Sequence, residues 1–430
     1  MEKEIVIVGG NALNGIVHNQ TSKNAVLPII AGSILNDKQI VIKNVPNLLD
    51  VFNMIKIIED LGAKVYINNK DIVIDSSNIN KFRIDENLTR SLRSSIFMLG
   101  PMLARFKQVT ISYPGGCDIG NRPIDLHLKG LKELGVDILE RNGLIICDGT
   151  SMHSGVINLD FASVGATENL IMASVFLKGN TTILNAAKEP EIVDLQNFLN
   201  AMGCKVSGAG THEINIEGVE KLREIEYTPQ GDRIVAGTYL IATAMCGGNI
   251  LIDNVNTSDF ASLTNKLEKA GCELNYTNNS IELTSNGKLE AIDKIETQIY
   301  PGFPTDLQAQ IMAMQTVSNG VSVIVENLFE NRFKHVNELI KLGADIKTKD
   351  RVAVIKGVKE LKGAHVVAGD LRGGASLVLA GLKAKGYTII HDIHHIMRGY
   401  ENIDDVLSSL GADIKINDIT LEDNHKVIIK

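Results

Sequence analysis

Six times along the chain, an apolar residue, a glycine and a small or apolar residue introduce an alternating, strand-like stretch. The glycines are Gly62, Gly135, Gly203, Gly271, Gly343 and Gly411, spaced 73, 68, 68, 72 and 68 residues apart. An internal repeat restricts the fold more than any local propensity does, because every copy must be built alike and pack against its neighbours. From the strand before each glycine, starting at Ile40, Val109, Thr181, Asn249, Ser322 and Thr388, the copies run 22, 26, 22, 22, 21 and 23 residues. The excess in the second copy falls in Tyr113-Pro-Gly-Gly-Cys-Asp-Ile-Gly-Asn-Arg-Pro123, a glycine-rich loop holding Cys117. One repeat therefore departs from the scaffold length at a thiol-bearing loop.

Each copy reads in the same order. A helical stretch such as Arg93–Arg105 or Asn169–Leu177 is followed by a short β-branched strand, such as Val109-Thr-Ile-Ser. A second helix has apolar residues three and four apart, as in Ile192, Leu195, Phe198, Leu199 and Met202. The recurring glycine suits the left-handed position that ends such a helix. Two alternating strands close the copy: Lys64–Asn68 and Asp71–Asp75 in the first, Ala412–Ile416 and Lys426–Lys430 in the last. The fold class is thus α/β, with six β-α-β-α-β-β-like repeats. No end carries a polar cap, so two globular groups of three, with a ligand cleft between them, fit better than a linear stack.

Composition narrows the function. Trp is absent and aromatic residues make up 4%, too few for a base-stacking surface. The net charge of -8 argues against nucleic acid or an anionic membrane as partner. No apolar run approaches the ~18 residues of a membrane span. The start, Met-Glu-Lys-Glu-Ile-Val-Ile-Val-Gly-Gly, lacks the pattern of a signal peptide, and a cytoplasmic location is expected. Cys117, Cys147, Cys204, Cys246 and Cys272 are scattered, as reduced thiols are, and form no C-x-x-C pair. His391-Asp-Ile-His394-His395 has no further clustered partners, so no metal is expected.

The charged residues outside the apolar pattern recur at two places in the copies: helix starts and the loops after the first strand. They include Lys23, Arg93, Arg122, Asp232, Asp306, Arg332, Asp370, Arg372 and Arg398. A single Arg or Lys near a helix start is ordinarily a solvated surface residue, and Asp232, Asp306 and Asp370 read equally well as helix caps. Their regular placement favours a shared site. Cationic groups and helix N-termini converging with two carboxylates would hold a small substrate carrying several negative charges. Cys117, between glycines and near Arg122, reads as an exposed thiol of lowered pKa.

These segments together resemble an enolpyruvyl transferase family, the UDP-N-acetylglucosamine 1-carboxyvinyltransferases. The likeness spans the chain. It is carried by Lys23-Asn24-Ala25, Pro114–His127, Ser163-Val-Gly-Ala-Thr167, Glu189–Asp194, Phe303–Gln310, Glu330-Asn-Arg-Phe333, Asp370-Leu-Arg372 and Arg398-Gly-Tyr-Glu401. The resemblance implies a two-lobed inverse α/β barrel with three repeats per lobe, one lobe at 22–231 and the other at 1–21 plus 232–430, and an active site in the cleft. It implies transfer of enolpyruvyl from phosphoenolpyruvate to the sugar hydroxyl of UDP-N-acetylglucosamine, without a cofactor.

Residue by residue, the resemblance makes Cys117 the proton donor and Asp306 the carboxylate near the reacting hydroxyl, with Lys23 and Arg398 also catalytic. Lys23, Asn24, Arg122, Arg332, Arg372 and Arg398 would hold phosphoenolpyruvate. Asn24, Arg93, Arg122, Pro123, Ile124, Asp125, Leu126, Ser163, Val164, Gly165, Asp306 and Leu328 would hold the nucleotide sugar. The chain departs from the family at Gln20-Thr21-Ser22, where Ser-Gly-Ala is usual, at Phe97 for Trp and at Leu328 for Val. The rival readings are the transferase that uses shikimate 3-phosphate and a non-catalytic UDP-sugar binder, and fold alone does not separate them.

Overall fold

The structure, a computed structural model, describes residues 3–115 and 124–418. The described chain divides into two compact units. The first comprises residues 3–20 and 231–418, the second residues 21–115 and 124–230. Each has its own apolar core and three small sheets.

One rule builds the sheets. A short linking strand runs parallel to the first strand of a repeat, which pairs antiparallel with the last strand, which in turn pairs with the third. In the first repeat, Ile225–Tyr227 lies parallel to Gln39–Ile42, followed by Asp71–Asp75 and Lys64–Asn68. The second repeat has three strands, and a lone bridge from Arg83 to Thr110 stands where its linking strand would be. The six sheets are separate and open, and the described strands close no barrel.

The linking strands reveal the chain path. Leu13–His18 pairs with Gly248–Asp253 in the first unit, while Ile225–Tyr227 pairs with Gln39–Ile42 in the second. The chain therefore leaves the first unit after residue 20, builds the second whole and returns. Entering and leaving segments are tied within each unit: Ser22 N–H donates to Gln230 O at 2.8 Å, and Asp232 N–H to Gln20 O at 2.9 Å.

The first helix of each repeat is buried on nearly all sides. These are α1 (Lys23–Ser33), α2 (Leu99–Phe106), α3 (Val164–Ser174), α4 (Arg233–Cys246), α5 (Gln308–Gln315) and α6 (Leu371–Lys383). A helix apolar all round belongs in a core. The hydroxyls that remain bond back into their own helices, as Thr238 does to Ile234 O and Ser174 to Leu170 O. The continuous helix expected over Arg93–Arg105 is instead a 3-10 turn, Arg93–Met98, followed by α2. The side chain of Asn169 reaches into the junction, donating to Ile96 O and accepting from Gly100 N–H.

All six recurring glycines have positive φ, from 83° to 115°. Gly62 shows both reasons for the residue: a left-handed φ of 115°, and Asn78 O only 2.7 Å from where a Cβ would sit. A second mark, not recognised in the sequence, follows the first strand in four of the six repeats. Asn44, Asn185, Asn254 and Asp392 all adopt φ near 54°, a conformation Asn and Asp tolerate better than other residues with a side chain. The two repeats without it are those with the Cys117 loop and with Leu328 and Arg332.

The last repeat differs from expectation. The inner antiparallel slot beside Tyr387–His391 and Asp413–Asp418 is filled by the chain's own start, Lys3–Val8, with Ile5 opposite both Ile390 and Ile416. Lys426–Lys430 lies outside the described residues. Ile5 and Ile7 are fully buried there, so the first unit depends on its opening strand. Ile7→Ala should cost about 2–5 kcal/mol in a denaturant titration. A cost under about 1 kcal/mol would show that the strand is not packed into the sheet.

Candidate active site

Four of the six buried helices begin with a side-chain cap. Ser22 Oγ accepts from Ala25 N–H, and Ser163 Oγ from Ala166 N–H. Asp232 Oδ1 accepts from Ile234 and Val235, and Asp370 Oδ1 from Arg372 and Gly373. The cap reading thus holds for Asp232 and Asp370. At α5 it does not: Pro304 precedes a 3-10 turn, Thr305–Leu307, and Asp306 sits inside that turn. Its carboxylate faces two guanidinium groups instead. Arg332 Nη2 lies 2.7 Å from Oδ1, and Arg372 Nη2 lies 2.9 Å from Oδ2.

The two arginine side chains are 3% and 4% exposed, against 30% for Asp306. Burial alone would lower the Arg372 pKa, but the Asp306 charge, with Tyr400 and Asp232, holds it above its ordinary value. Arg332 also donates to Thr305 O at 3.1 Å. Arg332 Nε and Arg372 Nη1 have no hydrogen-bond partner among the described residues. Gln310 Nε2 bonds to Asp306 O, Thr238 Oγ1 and the Tyr400 hydroxyl, which anchors this turn to α4.

Neighbours that the sequence reading passed over hold the set in place. The buried Glu326 carboxylate accepts from the Thr297 and Thr305 hydroxyls and from the N–H groups of Leu328 and Phe329. It thereby shapes the loop carrying Leu328, which is half-buried. His335 is buried with Nδ1 3.1 Å from Arg332 O. Burial above all pushes its pKa down to about 4; the Asp370 charge pulls the other way and Arg332 adds to the lowering. Arg398 ends the 3-10 turn Ile393–Arg398, half-buried. Burial first, then the charges of His394 and Arg398, lower the pKa of His395. The structure thus brings Asp306, Arg332 and Arg372 into direct contact.

In the second unit, Lys23 opens α1 and its Nζ lies 3.3 Å from Asp50 Oδ2, with the side chains 12% and 4% exposed. Asn24 follows it, half-buried. Arg93, at the start of the 3-10 turn, joins Ile124, Asp125, Leu128, Lys129 and Lys132 around a depression of about 690 Å³. Ile124 is buried, Asp125 exposed and Leu126 half-buried, at the head of the helix Asp125–Glu133. Ser163, Val164 and Gly165 form the first turn of α3. Cys117, Arg122 and Pro123 lie outside the described residues. The other four cysteines are free thiols. Burial pushes Cys147, Cys204 and Cys246 up to about 12 and Cys272 to about 11, which leaves them unreactive near neutrality. Among the described residues no three His, Cys, Asp or Glu side chains are grouped to hold a metal ion, and no helix is long and apolar enough to cross a membrane.

The family model of EPSP synthase (3-phosphoshikimate 1-carboxyvinyltransferase) matches residues 7–407. The chain belongs to the EPSP synthase family. UDP-N-acetylglucosamine 1-carboxyvinyltransferase 2 of Caldanaerobacter subterraneus subsp. tengcongensis is 52% identical over 408 residues, 95% of this chain and 98% of that protein. UDP-N-acetylglucosamine 1-carboxyvinyltransferase 1 of the same organism is 47% identical over 414 residues, 96% and 99% of the two chains. Among solved structures, the enolpyruvyl transferase NikO from Streptomyces tendae shares the fold. Its TM-score is 0.87 at 22% identity, over 97% of this chain and 100% of that one.

Asp306→Asn removes the carboxylate charge in direct contact with two buried guanidinium groups. It should lower stability by about 2 kcal/mol in low-salt buffer, a partly buried pair being worth less than a fully buried one. Inorganic phosphate should raise its thermal midpoint more than that of the parent protein, and an equal response would exclude electrostatic strain. The unfolded His335 binds a proton near pH 6.5, while the folded one resists it until about 4. Stability should therefore fall as pH drops through that window, by up to about 3 kcal/mol. In His335→Gln the fall should be shallower, as read from denaturant midpoints at each pH.

Proposed function

We propose that the chain transfers the enolpyruvyl group of phosphoenolpyruvate to the 3-hydroxyl of UDP-N-acetylglucosamine with release of phosphate, the first committed step of peptidoglycan synthesis. The observation that supports it most is the clasp of two buried arginines on Asp306. Two positive charges in contact with one negative leave a residual attraction for an anion. The names of full-length relatives at 47% and 52% identity favour the nucleotide sugar over shikimate 3-phosphate as acceptor.

In this reading the sugar hydroxyl oxygen bonds to C2 of the enol ester as C3 takes a proton. The tetrahedral adduct then loses phosphate as its C3 methyl group gives up one proton. The step needs an acid for C3, a base for the hydroxyl and cations for phosphate and carboxylate. Cys117 is the acid and Asp306 the base. Lys23, Arg122 and Arg398 bind the phosphate side with Asn24 beside Lys23, and Arg332 and Arg372 bind the carboxylate. The low exposure of both arginines favours the charge pairing, since less water competes for the anion. Arg93, Ile124, Asp125, Leu126, Ser163, Val164, Gly165 and Leu328 hold the nucleotide sugar, with Pro123 and Asn24.

Phosphate release with each acceptor tests the reading directly. Release should need UDP-N-acetylglucosamine and be absent with shikimate 3-phosphate; the reverse would overturn it. Cys117→Ala should lose turnover near neutral pH by at least about 100-fold while retaining UDP-sugar binding. Full activity in that variant would refute the acid role.

A further inference from the structure

His391 has no clustered metal partner in the sequence, but the fold brings one from another strand. His391 ends the strand Tyr387–His391, His365 opens the strand His365–Val367, and Glu4 lies on the opening strand Lys3–Val8. These three strands are neighbours in one sheet. Val367 stands opposite His391 in parallel pairing, and residues two apart share a face, so His365 and His391 lie on the same side. On the other flank Ile5 pairs with Ile390, which sets Glu4 beside His391. That side is the outer one. Ile5, Val366 and Ile390 are buried beneath it, whereas His365 is exposed and the His391 and Glu4 side chains are 35% and 21% exposed.

His365 Nδ1 lies 3.2 Å from His391 Nε2. The other ring nitrogen of His391, Nδ1, lies 3.6 Å from Glu4 Oε2. An ionised carboxylate only accepts, so His391 carries its hydrogen on Nδ1 and a lone pair on Nε2. Two imidazole nitrogens on one tetrahedral zinc ion, each ~2.0–2.1 Å from it, stand roughly 3.3–3.4 Å apart. The pair is already close to that spacing. His365 needs only to keep its hydrogen on Nε2 for both facing nitrogens to offer lone pairs. Glu4 occupies the place of the carboxylate that orients a ligating histidine and raises its basicity.

We propose that His365 Nδ1 and His391 Nε2 form a surface site for a divalent late transition-metal ion such as zinc or nickel, with Glu4 behind His391 and water in the remaining positions. Imidazole nitrogen suits these ions, whereas magnesium prefers oxygen. The bound ion joins the strands His365–Val367 and Tyr387–His391 directly, and Lys3–Val8 through Glu4. It thus braces the sheet that the chain's opening strand completes.

Calorimetric titration of the full chain with zinc, nickel and magnesium chlorides tests the site. The parent should bind one zinc or nickel ion below millimolar concentration and should not bind magnesium there. Glu4→Gln, which removes only the outer carboxylate, should weaken zinc binding about tenfold, and His365→Gln and His391→Gln should each weaken it further. Zinc should raise the thermal midpoint of the parent and leave that of His365→Gln unchanged. The imidazole resonances of His365 and His391 should shift together as zinc is added. No zinc or nickel binding below millimolar concentration would overturn the proposal. So would binding that survives unchanged in both histidine variants, which would put the ion on other groups, such as the adjacent rings of His394 and His395. His365 is exposed, so its variant decides if His391→Gln fails to fold.

Discussion

Two guanidinium groups almost out of water share one carboxylate, and much of the first unit is arranged to permit it. A buried cation is tolerable only with a partner at hydrogen-bond distance. Asp306 supplies that partner to both arginines because it does not cap its own helix. The 3-10 turn before α5 turns the carboxylate away from the helix N-terminus, whereas Asp232 and Asp370 spend theirs on backbone N–H groups. Around the pair lie Glu326, Gln310 and His335, which fix backbone segments rather than oppose charge. Burial keeps His335 neutral near pH 7, so it adds no third positive charge beside Arg332.

In the second unit a neutral amide organises the candidate site. Asn169 joins α3 to the Arg93–Met98 turn, to the start of α2 and to His127 on the helix Asp125–Glu133. These elements carry Arg93, Asp125, Leu126 and Ser163 to Gly165. One side chain with both a donor and an acceptor end can do this because each partner is buried and has a fixed polarity.

The sequence reading located most of the architecture. The strands Lys64–Asn68 and Asp71–Asp75 have the bounds their alternation implies, and every recurring glycine takes the left-handed conformation. It missed the left-handed Asn and Asp after four first strands, although the same residue type at the same repeat position was visible. It ran one helix through Ile96 to Gly100, because nothing local announces that a side chain from residue 169 enters there. It did not place Lys3–Val8 in the inner antiparallel slot of the last sheet. Both of these features depend on partners far away in the chain.

By itself, the sequence determined the six-fold repeat, the α/β class and most of the helix starts. These follow from spacing and from the conformational limits of glycine and capping residues, which are local. Tertiary structure alone decided that Asp306 pairs with Arg332 and Arg372 rather than capping a helix. It also decided which strand completes the last sheet. Those outcomes depend on which groups meet across tens to hundreds of residues of chain, and on how little water remains between them.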